Sequence, residues 1–141
     1  MTIAHQGRTA HNGLLRLALR IDAAASGALG LASASPAPVL DATAGIPTGW
    51  LVALGLFLLG YATGLAWLSA RPRIPPRLAW TVVAGNLVWV VLSVAAVVLG
   101  WFPFTALGAA LVVAQAAAVT GLAGLQYVGL RRGPTPDRLT R

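Results

Sequence analysis

Between Gly49 and Ala70 the chain reads GWLVALGLFLLGYATGLAWLSA, without one charged residue. Two more uncharged runs follow, Leu78–Trp101 and Phe104–Leu130. A helix of roughly 20 apolar residues crosses about 30 Å of hydrocarbon, and each run is long enough to do so. An all-α fold embedded in a membrane is therefore expected.

Composition agrees. Hydrophobic residues make up 57% of the 141 positions and charged residues only 9%, against about 25% charged in an ordinary soluble domain. So few charges cannot cover a water-facing surface. Cysteine is absent, which excludes disulfides, thiolate metal sites and thiol redox chemistry. The formal net charge is +7, and every basic residue is arginine. A basic balance often points to nucleic acid, but these arginines flank apolar spans. Anionic lipid headgroups are the expected partners, at roughly 1 kcal/mol per basic residue near the surface, and no nucleic acid is expected.

A fourth span, Leu14–Ala34, is weaker because it holds Arg16, Arg20 and Asp22. The connections support four spans. SPAPVLDATAGIPT (Ser35–Thr48) and RPRIPP (Arg71–Pro76) are rich in proline, and GWFPF (Gly100–Phe104) reads as a tight turn with Pro103 near the start of the next helix. The expected organisation is an N-terminal cytoplasmic tail (1–13) and one membrane domain (14–132) with spans at 14–34, 49–70, 78–101 and 104–130. A flexible cytoplasmic tail (133–141) follows. A rival reading takes ASAS, near Ala34, as a signal-peptidase site. Signal peptides have an uninterrupted apolar core, and here three charges interrupt it.

Arginine placement sets the orientation. Arg8, Arg16 and Arg20 precede or begin the first span. Arg71, Arg73 and Arg77 lie between the second and third, and Arg131, Arg132, Arg138 and Arg141 follow the fourth. All fall on one side of a four-pass topology, so the positive-inside rule puts both termini in the cytoplasm of a bacterial inner membrane. Arg16, Arg20, Arg71, Arg73, Arg77, Arg131 and Arg132 are expected at lipid headgroups. Trp50 and Trp101 mark the outer boundary and Trp67 and Trp80 the inner one; Trp89 lies deeper, as packing.

Arg16 and Arg20 can snorkel to the interface. Asp22 is too short to do so. It lies about 200° around the helix from Arg20 at 100° per residue, on a face with Leu15, Ala18, Leu19, Ala25, Ser26 and Leu29. Faces of small and polar residues pack against other helices, so Asp22 is expected to point into the bundle. Counting 1.5 Å per residue, Asn86 lies roughly 9 Å inside Trp80 and Gln126 roughly 7 Å inside Arg131, depths similar to that of Asp22. A buried polar layer of Asp22, Ser26, Tyr61, Asn86 and Gln126 follows, with Gln115 extending it outward along the last helix. Two meanings are open: hydrogen bonds that join helices, or an ion or ligand site of the kind intramembrane ionisable residues mark.

GYATG (Gly60–Gly64) is a GxxxG motif. With Gly27, Gly121 and Gly124 it is expected to mark close helix contacts, within the bundle or between copies. His5 and His11 lie in the N-terminal tail and make no metal site by themselves. No catalytic residue set and no cofactor motif is present.

The stretch LRLALRIDAAASGALG, the ending LAGLQYVGLRRG (Leu122–Gly133) and the four-span plan together resemble small four-helix bacterial inner-membrane proteins of the DoxX-like kind. That resemblance implies a membrane partner, since some such proteins are subunits of quinone-linked oxidoreductases. It transfers no site residue.

The expected function is that of a non-catalytic accessory or scaffold subunit of a larger inner-membrane complex. The alternative is a small transporter or ligand-binding bundle, on its own or as a homo-oligomer, that uses the layer around Asp22.

Overall fold

The computed structural model describes residues 3–35 and 38–132, with side chains over 13–35 and 41–132. The fold is all-helical. Five helices follow one another: α1 (Ile3–Ala34), α2 (Pro38–Ala44), α3 (Thr48–Ala70), α4 (Pro76–Val98) and α5 (Ala106–Arg131). Three of them, α3, α4 and α5, are long and apolar enough to cross a membrane. The expected flexible tail at 133–141, with Arg138 and Arg141, lies outside the described residues.

The first part of the chain differs most from the sequence expectation. Helix α1 begins at Ile3 and runs through the segment read as a tail. The proline-rich connection after it contains α2, which is tied to the start of α3 through Asp41 and to the start of α5 through Thr43 and Ala44. Asp41 Oδ2 accepts hydrogen bonds from the Thr48 amide (3.2 Å) and hydroxyl (2.7 Å), so it partners a backbone donor left open at the start of α3. Gly45 ends α2 with φ 70°, a conformation that favours glycine.

Local rules explain the remaining ends. Pro76 occupies the first turn of α4, where its missing N–H costs nothing. Helix α4 closes with Gly100 at φ 63°. The Trp101 amide donates to Ala96 O (3.0 Å) and the Gly100 amide to Val97 O (3.3 Å), the paired bonds of a Schellman cap. Helix α5 starts later than Pro103 suggested: Thr105 is its cap, and its hydroxyl accepts from the Gly108 amide at 2.9 Å.

Helix α1 packs against both α3 and α5, and α4 packs against α5. The helices α3 and α4, adjacent in sequence, instead face each other across a gap. Backbones touch where glycines permit. A Cβ on Gly55 would lie 2.5 Å from Ala34 N, and one on Gly30 would lie 3.0 Å from Gly55 O, so α1 and α3 cross in direct contact. Gly129 lets α5 approach Leu15 of α1 in the same way. In lipid such close van der Waals contact drives helix association, because apolar burial adds little there.

The glycines picked out by motif behave differently. Gly60, Gly64, Gly121 and Gly124 have open space where a Cβ would sit, so they make no close contact among the described residues. A Cβ on Gly27 would make an ordinary contact, 3.6 Å from Ala62 Cβ. The intrachain crossings expected at GYATG are made by Gly30, Gly55 and Gly129.

The two ends of the bundle are chemically distinct. At one end Leu15, Leu19, Leu65, Leu68 and Ala79 form a buried apolar cluster. Beyond it sit Trp67 with Arg71 stacked over its ring (3.9 Å), and Trp80 against Tyr127. At the other end Trp50 meets Phe102 edge-on, Phe102 meets Phe104, and the Thr105 hydroxyl donates to Thr43 O. The arginines of the described side chains all lie toward the first end.

Candidate polar site in the helix bundle

Asp22 is 2% exposed, Asn86 4% and Gln126 0%. They come from α1, α4 and α5, and they meet. Asn86 Nδ2 donates to Asp22 Oδ2 (2.8 Å) and to Gln126 Oε1 (3.1 Å), and Gln126 Nε2 donates back to Asp22 Oδ2 (2.8 Å). Tyr61 of α3 donates its hydroxyl to Asn86 Oδ1 (2.8 Å), and Ser26, one turn along α1, donates to Asp22 Oδ1 (3.2 Å). All four long helices therefore contribute to one network.

The network fixes its own polarity. Asn86 must present its amide nitrogen to the Asp22 carboxylate and its oxygen to Tyr61, since the reversed amide would set oxygen against oxygen. Every hydrogen bond at Asp22 is donated to it. No buried side-chain nitrogen or oxygen of the described residues lacks a partner, which matters in a low-dielectric interior where an orphan polar group is costly.

A second layer lies further along the bundle. Trp89 Nε1 donates to Gln115 Oε1 (2.9 Å), and Gln115 Nε2 donates to Ser93 Oγ (3.0 Å). Asn86 and Ser93 are two turns apart on α4, so the layers stand roughly 10 Å apart. Gln115 does continue the polar track, but through Trp89 and Ser93, which the sequence did not single out. Trp89 was expected as plain packing. Its depth suggested that, and only its indole N–H, which seeks a partner when buried, signalled otherwise.

Between the layers is a cavity of about 320 Å³ that opens to the bundle surface, where Phe57, Gly85 and Ala118 are exposed. Asp22, Ser26, Tyr61, Asn86, Trp89 and Gln115 supply its polar groups, and all four long helices line it. The rest of the wall is apolar, including Leu29, Leu58 and Leu122. Phe57 of α3 stacks nearly parallel to Tyr61 (6.3 Å, 8°) and to Trp89 of α4 (6.3 Å, 14°). Side chains, not backbones, thus close the α3–α4 gap. Gln126 belongs to the network but not to the cavity wall.

The arginines expected at headgroups divide. Arg20, Arg73, Arg77, Arg131 and Arg132 are exposed. Arg131 also donates to the Tyr127 hydroxyl (2.9 Å). Arg16 turns inward instead. Its guanidinium donates to the carbonyls of Ser69, Arg71 (2.9 Å) and Pro72 (3.4 Å). It therefore fastens α1 to the C-terminal end of α3, where a cation is favoured by the helix dipole. Among the described residues no arginine lines the cavity.

Among the described residues no three His, Cys, Asp or Glu side chains gather as metal ligands would. No known protein family has a model that matches this chain, and neither a curated protein nor a solved structure matches it.

Proposed function

We propose that the chain is a four-pass membrane bundle, with both ends in the cytoplasm, that binds a small and largely apolar molecule in the cavity beside Asp22. The observation that carries this is the cavity itself, about 320 Å³ with Asp22 and Asn86 in its wall. Helix-joining hydrogen bonds alone call for dry, filled packing around them. A mostly apolar hollow of this size, with a few convergent polar groups, is the usual form of a small-molecule site. The four-pass topology rests on the arginines gathering at one end. Helix α1 is the least apolar of the four, and its most polar buried group is matched by partners on α4 and α5.

Titration of the purified protein in nanodiscs with a panel of small aromatic amphiphiles tests this, with tryptophan fluorescence as readout, because Trp89 lines the cavity. Saturable quenching that disappears in Gly85→Phe, which fills the cavity from α4, is the expected result. No saturable response from any member of the panel overturns the proposal.

A second reading is an accessory subunit of a larger membrane complex, in line with the DoxX-like resemblance. It is favoured by the open faces at Gly60, Gly64, Gly121 and Gly124, which leave room for a partner helix. A larger protein that co-purifies in fixed stoichiometry after gentle extraction would establish it.

A further inference from the structure

Each buried polar side-chain group of the site has at least one hydrogen-bond partner within the protein. The Tyr61 hydroxyl, both ends of the Asn86 amide, the Gln126 amide, the Trp89 N–H and the Gln115 amide all bond to one another or to Asp22. A ligand that needs a hydrogen bond finds few unused partners here. Charge is different. The groups that bond Asp22 are two amides and a hydroxyl, all neutral, and no salt bridge reaches it among the described residues. Asp22 is also the only Asp, Glu, Arg, Lys or His among the described residues of the cavity wall. The network gives the carboxylate donors but no opposite charge, and a buried carboxylate without one is expensive.

We propose that the cavity takes a small lipophilic cation, an amine or quaternary ammonium carried on an apolar or aromatic body. This names the ligand class of the site and rests on the cavity being a binding site at all. Asp22 Oδ1 carries a single bond, the 3.2 Å contact from Ser26, while Oδ2 already carries two. Oδ1 therefore keeps acceptor capacity, on the side held by a residue that also lines the cavity. The row of Tyr61, Phe57 and Trp89 rings supplies flat apolar surface for the ligand's body, and aromatic groups attract cations through their electron-rich faces. An anion would meet Asp22 with no arginine among the described lining residues to offset it. The ligand's positive centre sits at the Asp22 end, and its body extends toward Gln115.

A matched pair of probes separates charge from shape: benzyltrimethylammonium and its uncharged carbon counterpart, neopentylbenzene. Both are titrated into the full chain in phosphatidylcholine nanodiscs, where no anionic lipid attracts the cation, with calorimetry and tryptophan fluorescence as readouts. The expected result is saturable binding of the ammonium at least tenfold tighter than of the hydrocarbon. Asp22→Asn should remove that preference. Circular dichroism and size-exclusion profiles establish that this variant folds; if it does not, the preference in the unmodified protein decides. Equal binding of both probes overturns the cation assignment and leaves the cavity as a site for neutral molecules. No saturable binding of either overturns the site and the assignment together.

Discussion

Asp22 Oδ2 and Asn86 Nδ2 stand 2.8 Å apart across 64 residues of sequence. This contact joins the buried acid of α1 to the middle of α4. With Gln126 closing the triangle, it sets how the helices are rotated about their axes. The same contact forms one end of the cavity. Stability and binding are thus expected to respond differently to changes at Asp22.

Asp22→Asn keeps one oxygen for the Asn86 and Gln126 amides and turns its nitrogen to the Ser26 hydroxyl, which can accept. Its stability is expected to fall by less than ~1 kcal/mol, in keeping with the ~0.6 kcal/mol average for hydrogen bonds between membrane helices. Asp22→Leu strands two buried amide donors and should cost about 2 kcal/mol. Equilibrium unfolding in mixed micelles measures both. Equal losses would mean that the triangle does not bear on stability as drawn.

Glycines offer a sharper contrast. Gly55→Ala forces a methyl group against the Ala34 backbone and should destabilise by about 1–3 kcal/mol, as overpacking does. Gly60→Ala enters open space and should stay within about 0.5 kcal/mol in the monomer. A large loss at Gly60 in dilute detergent would contradict the described crossing of α1 and α3.

Arg16 should not tolerate lysine. Its planar group reaches three carbonyls at the end of α3 and in the connector after it, a fork that a single ammonium does not reproduce. Arg16→Lys and Arg16→Ala are both expected to speed hydrogen exchange at the last turn of α3, with a loss of about 1 kcal/mol or more for alanine. Arg20→Ala, at an exposed position of the same helix, serves as the control and should leave exchange unchanged.

Much of this was legible in the sequence because polar residues are scarce. In a background of Leu, Val and Ala, the depths of Asp22, Asn86 and Gln126 could be read from the helical rise alone, and the structure does bring them together with Ser26 and Tyr61. The rotation of α3 was not legible. That helix is apolar on every side, so no face of the sequence marks the interior, and GYATG was as plausible an inward face as Gly55. Phe57 was hidden for the same reason. Helix α2 was not legible because Pro38, the prolines on either side and its length of seven residues look like loop, whereas it is held by Asp41, Thr48 and the Thr105 turn.

The absence of cysteine allows a direct test of whether the space beside Asp22 is open. Val119 lines the cavity, and Ala123, one turn further along α5, is buried at 2% exposure in packed surroundings. Single-cysteine variants at these positions can be treated with methyl methanethiosulfonate in the folded protein and read by mass spectrometry. Rapid modification of Val119→Cys, slowed by a bound probe, with Ala123→Cys protected, is the predicted result. Equal protection of both would show that the bundle is solid there and would contradict the account.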